Sequence, residues 1–203
     1  MPIPVYPIQT ARLLLRPFTP ADLDDLFAYM SREDVVRYLY GGVKDRAESE
    51  TLIQKWMATP TLEKDGDQLN LAVVLAADGR QPGIGEVTIK LTSLEHRQAS
   101  IGWVFNPDYH GHGYATEAAA ALLALGFRDF GFHRISASCD ARNTASYKVM
   151  QRLGLRREAH FIHNEIFKGE WGEELVYAIL QGEWANRAAN GDYPTSQSAS
   201  ILP

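Results

Sequence analysis

Two strand-then-helix units follow one another between Ala99 and Leu153, and this order constrains the fold more than any other feature of the sequence. Ala99–Phe105 has the composition of a strand and is ended by Asn106-Pro107. His110-Gly111-His112-Gly113 comes next, followed by an apolar helical segment to about Phe130 that Gly131 closes. Arg134–Cys139 then reads as a strand, and Thr144–Leu153 as a helix stopped by Gly154. A helix crossing between two neighbouring strands makes them parallel, and such a pair leaves a crevice where the strand ends part.

The flanking segments complete a mixed α/β pattern. Residues 1–9 are proline-rich and extended, and Arg12–Arg16 reads as a first strand. Thr19-Pro20-Ala21-Asp22 starts a helix carrying Leu23, Leu26, Phe27 and Met30 at helical spacing. A short helix is expected over Arg32–Tyr40, stopping at Gly41-Gly42, and another over Ala47–Met57 with Leu52, Ile53, Trp56 and Met57 on one side. Leu69–Ala76 and Gly83–Leu91 read as strands separated by the turn Asp78-Gly79-Arg80. Leu155–Lys168 and Glu173–Leu180 form a last strand pair joined around Gly169–Gly172. The expected organisation is an extension over 1–9, one domain over 10–184 and a polar tail over 185–203.

The chain has 203 residues and a formal net charge of −5, so no global field favours nucleic acid. Any anionic ligand needs a local device. Cys139 is the single cysteine, which excludes an internal disulfide and a cysteine-rich zinc site. The first residues lack the pattern of a signal peptide, and the most apolar run, Ala118–Phe127, is about half the roughly 20 residues of a membrane span. The expectation is a soluble, cytoplasmic protein that binds neither membrane nor nucleic acid.

Gly111-x-Gly113 before a helix supplies the local device. Glycines let the backbone turn tightly and let a ligand approach its N–H groups, and the first helix amides carry partial positive charge. Together they hold an anion without a basic side chain. No Gly-Lys-Ser/Thr follows, so this is not a Walker loop, and Thr116 stands where a dinucleotide fingerprint has its third glycine. His110-x-His112 lacks a third nearby metal ligand, and no metal is expected. Taken alone, the segment is equally compatible with a turn that only starts a helix.

NPDYHGHGYATEA and ARNTASYKVMQRLGL, in this order and spacing, resemble the two cofactor motifs of the GNAT acetyltransferases. TARLLLRPFTPADLDDL resembles the opening strand and helix of their RimJ/RimL branch, which acetylates protein N-termini. The resemblance spans roughly residues 10–184. It implies a GNAT fold: a mixed central sheet with a splayed parallel strand pair, flanked by helices. It also implies acetyl-CoA as co-substrate and an amine as acceptor. Val104 and Phe105 amides would face the thioester oxygen, the amides of His110, Gly111, His112, Gly113, Tyr114 and Ala115 would hold the pyrophosphate, and Asn143 would bond the pantetheine arm. Lys148 and Arg152 are candidates for the nucleotide end, although solvated helix charges explain them as well.

Two departures stand out. Asp108 occupies the usual Arg/Gln position, which leaves the loop without a cation of its own, and Met150 replaces the tyrosine that protonates the departing thiolate in many members. Ser146 takes that role by resemblance, with Tyr147 second. Glu165 and Glu86 are candidate bases, and alternation would place His163 on the face of Glu165. Val36–Asp45 and the Phe161–Trp171 hairpin are expected to line the acceptor side, with Tyr38, Tyr40, Phe161 and Trp171 as a partly apolar wall. A homodimer is compatible with the sequence. The expected function is acetyl transfer to a peptide N-terminus or small-molecule amine by direct attack in a ternary complex. The competing readings are a catalytically impaired acyl-CoA-binding protein and a dinucleotide-binding oxidoreductase.

Overall fold

A computed structural model describes residues 1–59, 61–76 and 82–193. The strands are β1 (Ile8–Gln9), β2 (Leu13–Pro17), β3 (Gln68–Leu75), β4 (Gly83–Ser93), β5 (Gln98–Phe105), β6 (Arg134–Asp140), β7 (Arg156–Phe167) and β8 (Glu170–Leu180). The helices are α1 (Leu23–Met30), α2 (Glu33–Val36), α3 (Arg46–Met57), α4 (Tyr114–Ala124), α5 (Thr144–Arg152) and α6 (Gln181–Ala189). One eight-stranded sheet runs in the order β1-β2-β3-β4-β5-β6-β8-β7. Every neighbouring pair is antiparallel except β5 and β6. The turn expected at Asp78-Gly79-Arg80 lies outside the described residues.

The parallel pair is short. Only Gln98 with Arg134, Ala99 with Ile135 and Ser100 with Ser136 are in register. From Ile101 onward β5 keeps its pairing with β4 while β6 pairs with β8 out to Asp140 and Glu174, so the gap opens between two supported strands. The expected mixed sheet with a splayed parallel pair is thus present.

Apolar residues on the two sheet faces build two cores. One holds Ile89, Leu122, Phe127, Phe132 and Ile135 under α4 and α5, and the other holds Phe18, Leu26, Tyr29, Met30, Ile53 and Val74 under α1 and α3. Every residue of α4 from Glu117 to Leu123 is buried, which accounts for its alanine-rich, almost uncharged sequence. The α-helix gives way after Ala124 to a wider turn over Leu125–Asp129, where Phe130 N–H donates to Leu125 O.

Several boundaries differ from expectation for identifiable reasons. The helix expected over Arg32–Tyr40 is one turn, Glu33–Val36; beyond it the Val36 carbonyl accepts from Leu39 N–H at 3.0 Å in a tighter turn and from Lys168 Nζ at 2.7 Å. Met57 is exposed rather than aligned with buried Ile53. The last hairpin turns at Lys168-Gly169, both at positive φ, so β8 begins at Glu170. Of the polar tail expected over 185–203, residues 185–189 belong to α6 and 194–203 lie outside the described residues. Trp184 packs on Phe127 with ring centroids 5.3 Å apart, and Tyr193 Oη donates to Leu153 O at 2.8 Å. Both contacts are long-range and leave no trace in local composition.

Candidate functional site

A cavity of about 580 Å³ opens at the gap between β5 and β6. Trp103, Val104 and Phe105 of β5 line it, together with His110, Gly111, Gly113, Tyr114, Ala115 and Thr116, and with Asn143, Ser146, Lys148, Val149 and Arg152 of α5 and its cap. Asp34, Val35, Tyr38 and Leu39 close the opposite wall. The two motifs of the sequence therefore meet in one place.

Gly111 and Gly113 have φ of 83° and 80°, the left-handed region that a residue with a Cβ enters at a cost. Gly113 is the N-cap of α4 and offers no capping side chain, so the amides of Tyr114, Ala115 and Thr116 stay available at the cavity edge. His112 does not line the cavity. Its carbonyl instead accepts from Arg12 Nη1 at 2.9 Å. His110 Nε2 lies 3.2 Å from Phe105 O.

The Phe105 and Val104 amides are not equivalent. Asn106 N–H donates to Ile84 O, so alternation along β5 sends the Val104 N–H to β4 as well and the Phe105 N–H to the open gap. Phe105 is therefore the one with a free amide facing the gap, while Val104 contributes its side chain to the wall.

On α5, Asn143 Oδ1 accepts from Ser146 N–H at 3.2 Å, which caps the helix, and Asn143 lines the cavity. Ser146 lines the cavity. Tyr147 does not; its side chain packs against the core, because adjacent residues on a helix point to different faces. Met150 is buried in that core, so no hydroxyl stands at its position. Burial pushes the Cys139 thiol up to about 11, which suits a packing residue and not a nucleophile.

The candidate bases occupy different surroundings. Glu86 lies under the wall, buried beside Tyr29, whose hydroxyl donates to Glu86 Oε2 at 3.2 Å; burial pushes its carboxyl up to about 8. Glu165 accepts from Tyr40 Oη at 3.0 Å on the exposed side. Neither lines the cavity. The pairing of His163 with Glu165 does not form. The register shifts between Phe161 and Glu165, His163 takes a φ of 52°, and its ring stacks on Trp171, which lies on the face opposite Glu165. Phe161 and Trp171 are exposed and stand outside the cavity lining; of the expected wall, Tyr38 is in place.

Two features escaped the sequence reading. Asp108 has a cation after all: Arg32, from the loop before α2, donates to Asp108 Oδ1 at 2.9 Å and to Asp34 as well. The second is Glu117, 4% exposed, which accepts from Thr10 Oγ1 at 2.6 Å, Arg12 N–H at 2.9 Å and Arg12 Nε at 2.7 Å. The available signal was a lone carboxylate inside an apolar helix, which requires partners. Among the described residues, no group of three or more His, Cys, Asp or Glu could hold a metal ion, and no helix is long and apolar enough to cross a membrane.

Residues 12–156 match the acetyltransferase (GNAT) domain family. The chain is 38% identical over 178 residues to YnaD, an uncharacterised N-acetyltransferase of Bacillus subtilis (strain 168), covering 87% of this chain and 98% of that one. A GNAT-family acetyltransferase from Bacillus anthracis superposes with a TM-score of 0.77 at 38% identity, over 87% of this chain and 99% of the other. A spermidine N-acetyltransferase from Vibrio cholerae, solved with CoA and spermine, shares the fold with a TM-score of 0.72 at 20% identity, over 86% and 98% of the two chains. With the splayed strand pair and the double-glycine helix start already in place, the chain belongs to the GNAT acetyltransferase family and is an acyltransferase enzyme.

Proposed function

We propose that the protein transfers the acetyl group of acetyl-CoA to a primary amine, a peptide N-terminus or a small-molecule amine, by direct attack in a ternary complex. The observation that carries this reading is the convergence of the β5–β6 gap, the Gly111/Gly113 loop and the Asn143 cap on one cavity. The donor set fits a pantetheine pyrophosphate: an open strand edge for the amide-bearing arm and a cluster of helix-start amides for the phosphates.

In this reading the Phe105 N–H bonds the acyl oxygen, where negative charge develops during attack. The amine nitrogen forms the new C–N bond as the C–S bond breaks, and the proton this nitrogen then loses passes to the departing sulfur through Ser146, which takes one proton as it gives its own. The amine must be neutral first. An α-amine with pKa near 8 costs only about 1–1.5 kcal/mol to deprotonate at neutral pH, and a lysine-like amine about 4–5. Glu165, held by Tyr40, is the proposed proton acceptor, directly or through water; Glu86 is placed behind the wall as a buried carboxyl. The opening β2–α1 segment is the ground for keeping RimJ/RimL-type N-terminal acceptors first. The spermidine acetyltransferase neighbour is the ground for keeping polyamines on the panel.

The test is thiol release from acetyl-CoA over N-terminal peptides, polyamines, aminoglycosides and amino acids, with initial velocities on any hit. Intersecting double-reciprocal lines support direct transfer, and parallel lines contradict it. CoA binding without turnover on the panel would mean a binding protein that has lost catalysis. NAD binding without CoA binding would mean an oxidoreductase.

A further inference from the structure

The side chain of Arg12 reaches from the start of β2 to the double-glycine loop and makes a set of contacts that no step above uses. Its Nε and Nη2 lie 2.7 and 2.6 Å from Glu117 Oε2, its own N–H bonds Glu117 Oε1, and its guanidinium sits 4.7 Å from the centre of the Tyr114 ring. With the fork fixed on those three sides, Nη1 donates to the His112 carbonyl at 2.9 Å. Glu117 is itself immobilised by burial and by Thr10 Oγ1. The chain of restraint thus runs from a buried carboxylate, through one planar cation, to a single peptide unit.

That peptide unit joins His112 to Gly113. In a trans peptide the carbonyl of one residue and the N–H of the next point in opposite directions. On its Gly113 side this unit has little else to hold its orientation, because glycine tolerates the φ of the flipped plane as readily. A donor on the carbonyl therefore decides where the Gly113 N–H points. Gly111, Gly113 and Tyr114 line the cavity and His112 does not, which is the arrangement expected when the His112 carbonyl is drawn to the opposite side.

We propose that Arg12 is a positioning residue for the pyrophosphate of the acyl donor: by holding the His112 carbonyl it keeps the Gly113 amide turned into the anion site. The inference rests on the cofactor reading above and goes beyond it by assigning the orientation of the loop to a residue about one hundred positions upstream. Arg12 touches neither donor nor acceptor in this account. Its charge is spent on Glu117, so it does not serve as the phosphate's counter-ion.

The experiment compares two donors, acetyl-CoA and S-acetylpantetheine, which carries the same thioester without the pyrophosphate. Arg12→Gln and Arg12→Lys are assayed alongside the unaltered protein, with CoA binding measured by calorimetry. Lysine keeps the charge beside Glu117 but lacks the planar fork that reaches two acceptors at once. Both variants are expected to lower the preference for acetyl-CoA over S-acetylpantetheine about tenfold, through the acetyl-CoA KM with kcat nearly constant. Equal losses on both donors would show a general structural role and overturn the proposal, as would an unchanged preference. An unaltered protein that fails to bind CoA would overturn the underlying reading, an outcome calorimetry separates from a loss confined to the variants.

Discussion

Glu86 sits in the middle of the sheet, and its buried carboxyl, pushed up to about 8, is largely protonated at neutral pH. The consequence for stability has a definite sign. The folded pKa lies above the ordinary carboxylate value of 4.5, so the native state binds more protons than the unfolded one between those two values, and stability falls as pH rises through that window. The slope is at most about 1.4 kcal/mol per pH unit. Glu86→Gln should flatten it: urea midpoints measured at pH 5 and pH 8 are expected to differ less in the variant than in the parent. A parent without such a slope would contradict the buried, protonated state. Gly111 and Gly113 make a different kind of demand. A valine at either position must adopt a positive φ at a cost on the order of 1–3 kcal/mol, so Gly113→Val should raise the acetyl-CoA KM about tenfold or more. His110→Ala should change it by less than about threefold if amides carry the phosphate. Equal effects would transfer the grip to the histidine.

The elements were legible where a local pattern decides them and illegible where a distant partner does. The strand–glycine–helix units and the parallel pairing followed from residue order alone, because crossover geometry leaves few alternatives. The extent of the splay, three residue pairs, did not, since it depends on β8 supporting β6. On β7 the period-two argument failed at His163, where a bulge resets the faces. For residues 185–193 the local composition pointed to a tail, whereas α6 runs on to Ala189, with Trp184 packed on Phe127 before that stretch and Tyr193 bonded to Leu153 at its end. Trp184→Ala should therefore lower stability by about 1–3 kcal/mol, roughly 3–10 °C in Tm for a domain of this size. Trp184→Phe should have a smaller effect, because the indole N–H is buried without a partner and there is no hydrogen bond to lose. Similar losses in the two variants would contradict the packing account. The α2 wall is fastened by exposed contacts, Arg32 with Asp108 and Tyr40 with Glu165, of the kind worth little each. Their role is to place Asp34, Val35, Tyr38 and Leu39 over the cavity.

For the whole molecule the central tension is between its net charge of −5 and a polyanionic donor. In the proposed reading main-chain amides hold the donor without a basic surface, and this has a measurable signature. Binding through side-chain cations weakens steeply with salt, whereas amide contacts inside a cavity are screened little. The acetyl-CoA KM should change less than about twofold between roughly 0.05 and 0.5 M salt. A steep rise would assign the phosphates to Lys148 and Arg152 instead. The sequence exposed least the wall made by Asp34, Val35, Tyr38 and Leu39, because these residues belong to α2 and the segment after it, which distant contacts such as Lys168 with the Val36 carbonyl and Arg32 with Asp108 hold in place.

The most direct test of the account is calorimetric titration of acetyl-CoA into the unaltered protein and into Gly113→Val. The account predicts one site per chain in the former and markedly weaker binding in the latter. Binding that is unaffected by the valine, or no binding while NAD binds, would contradict it.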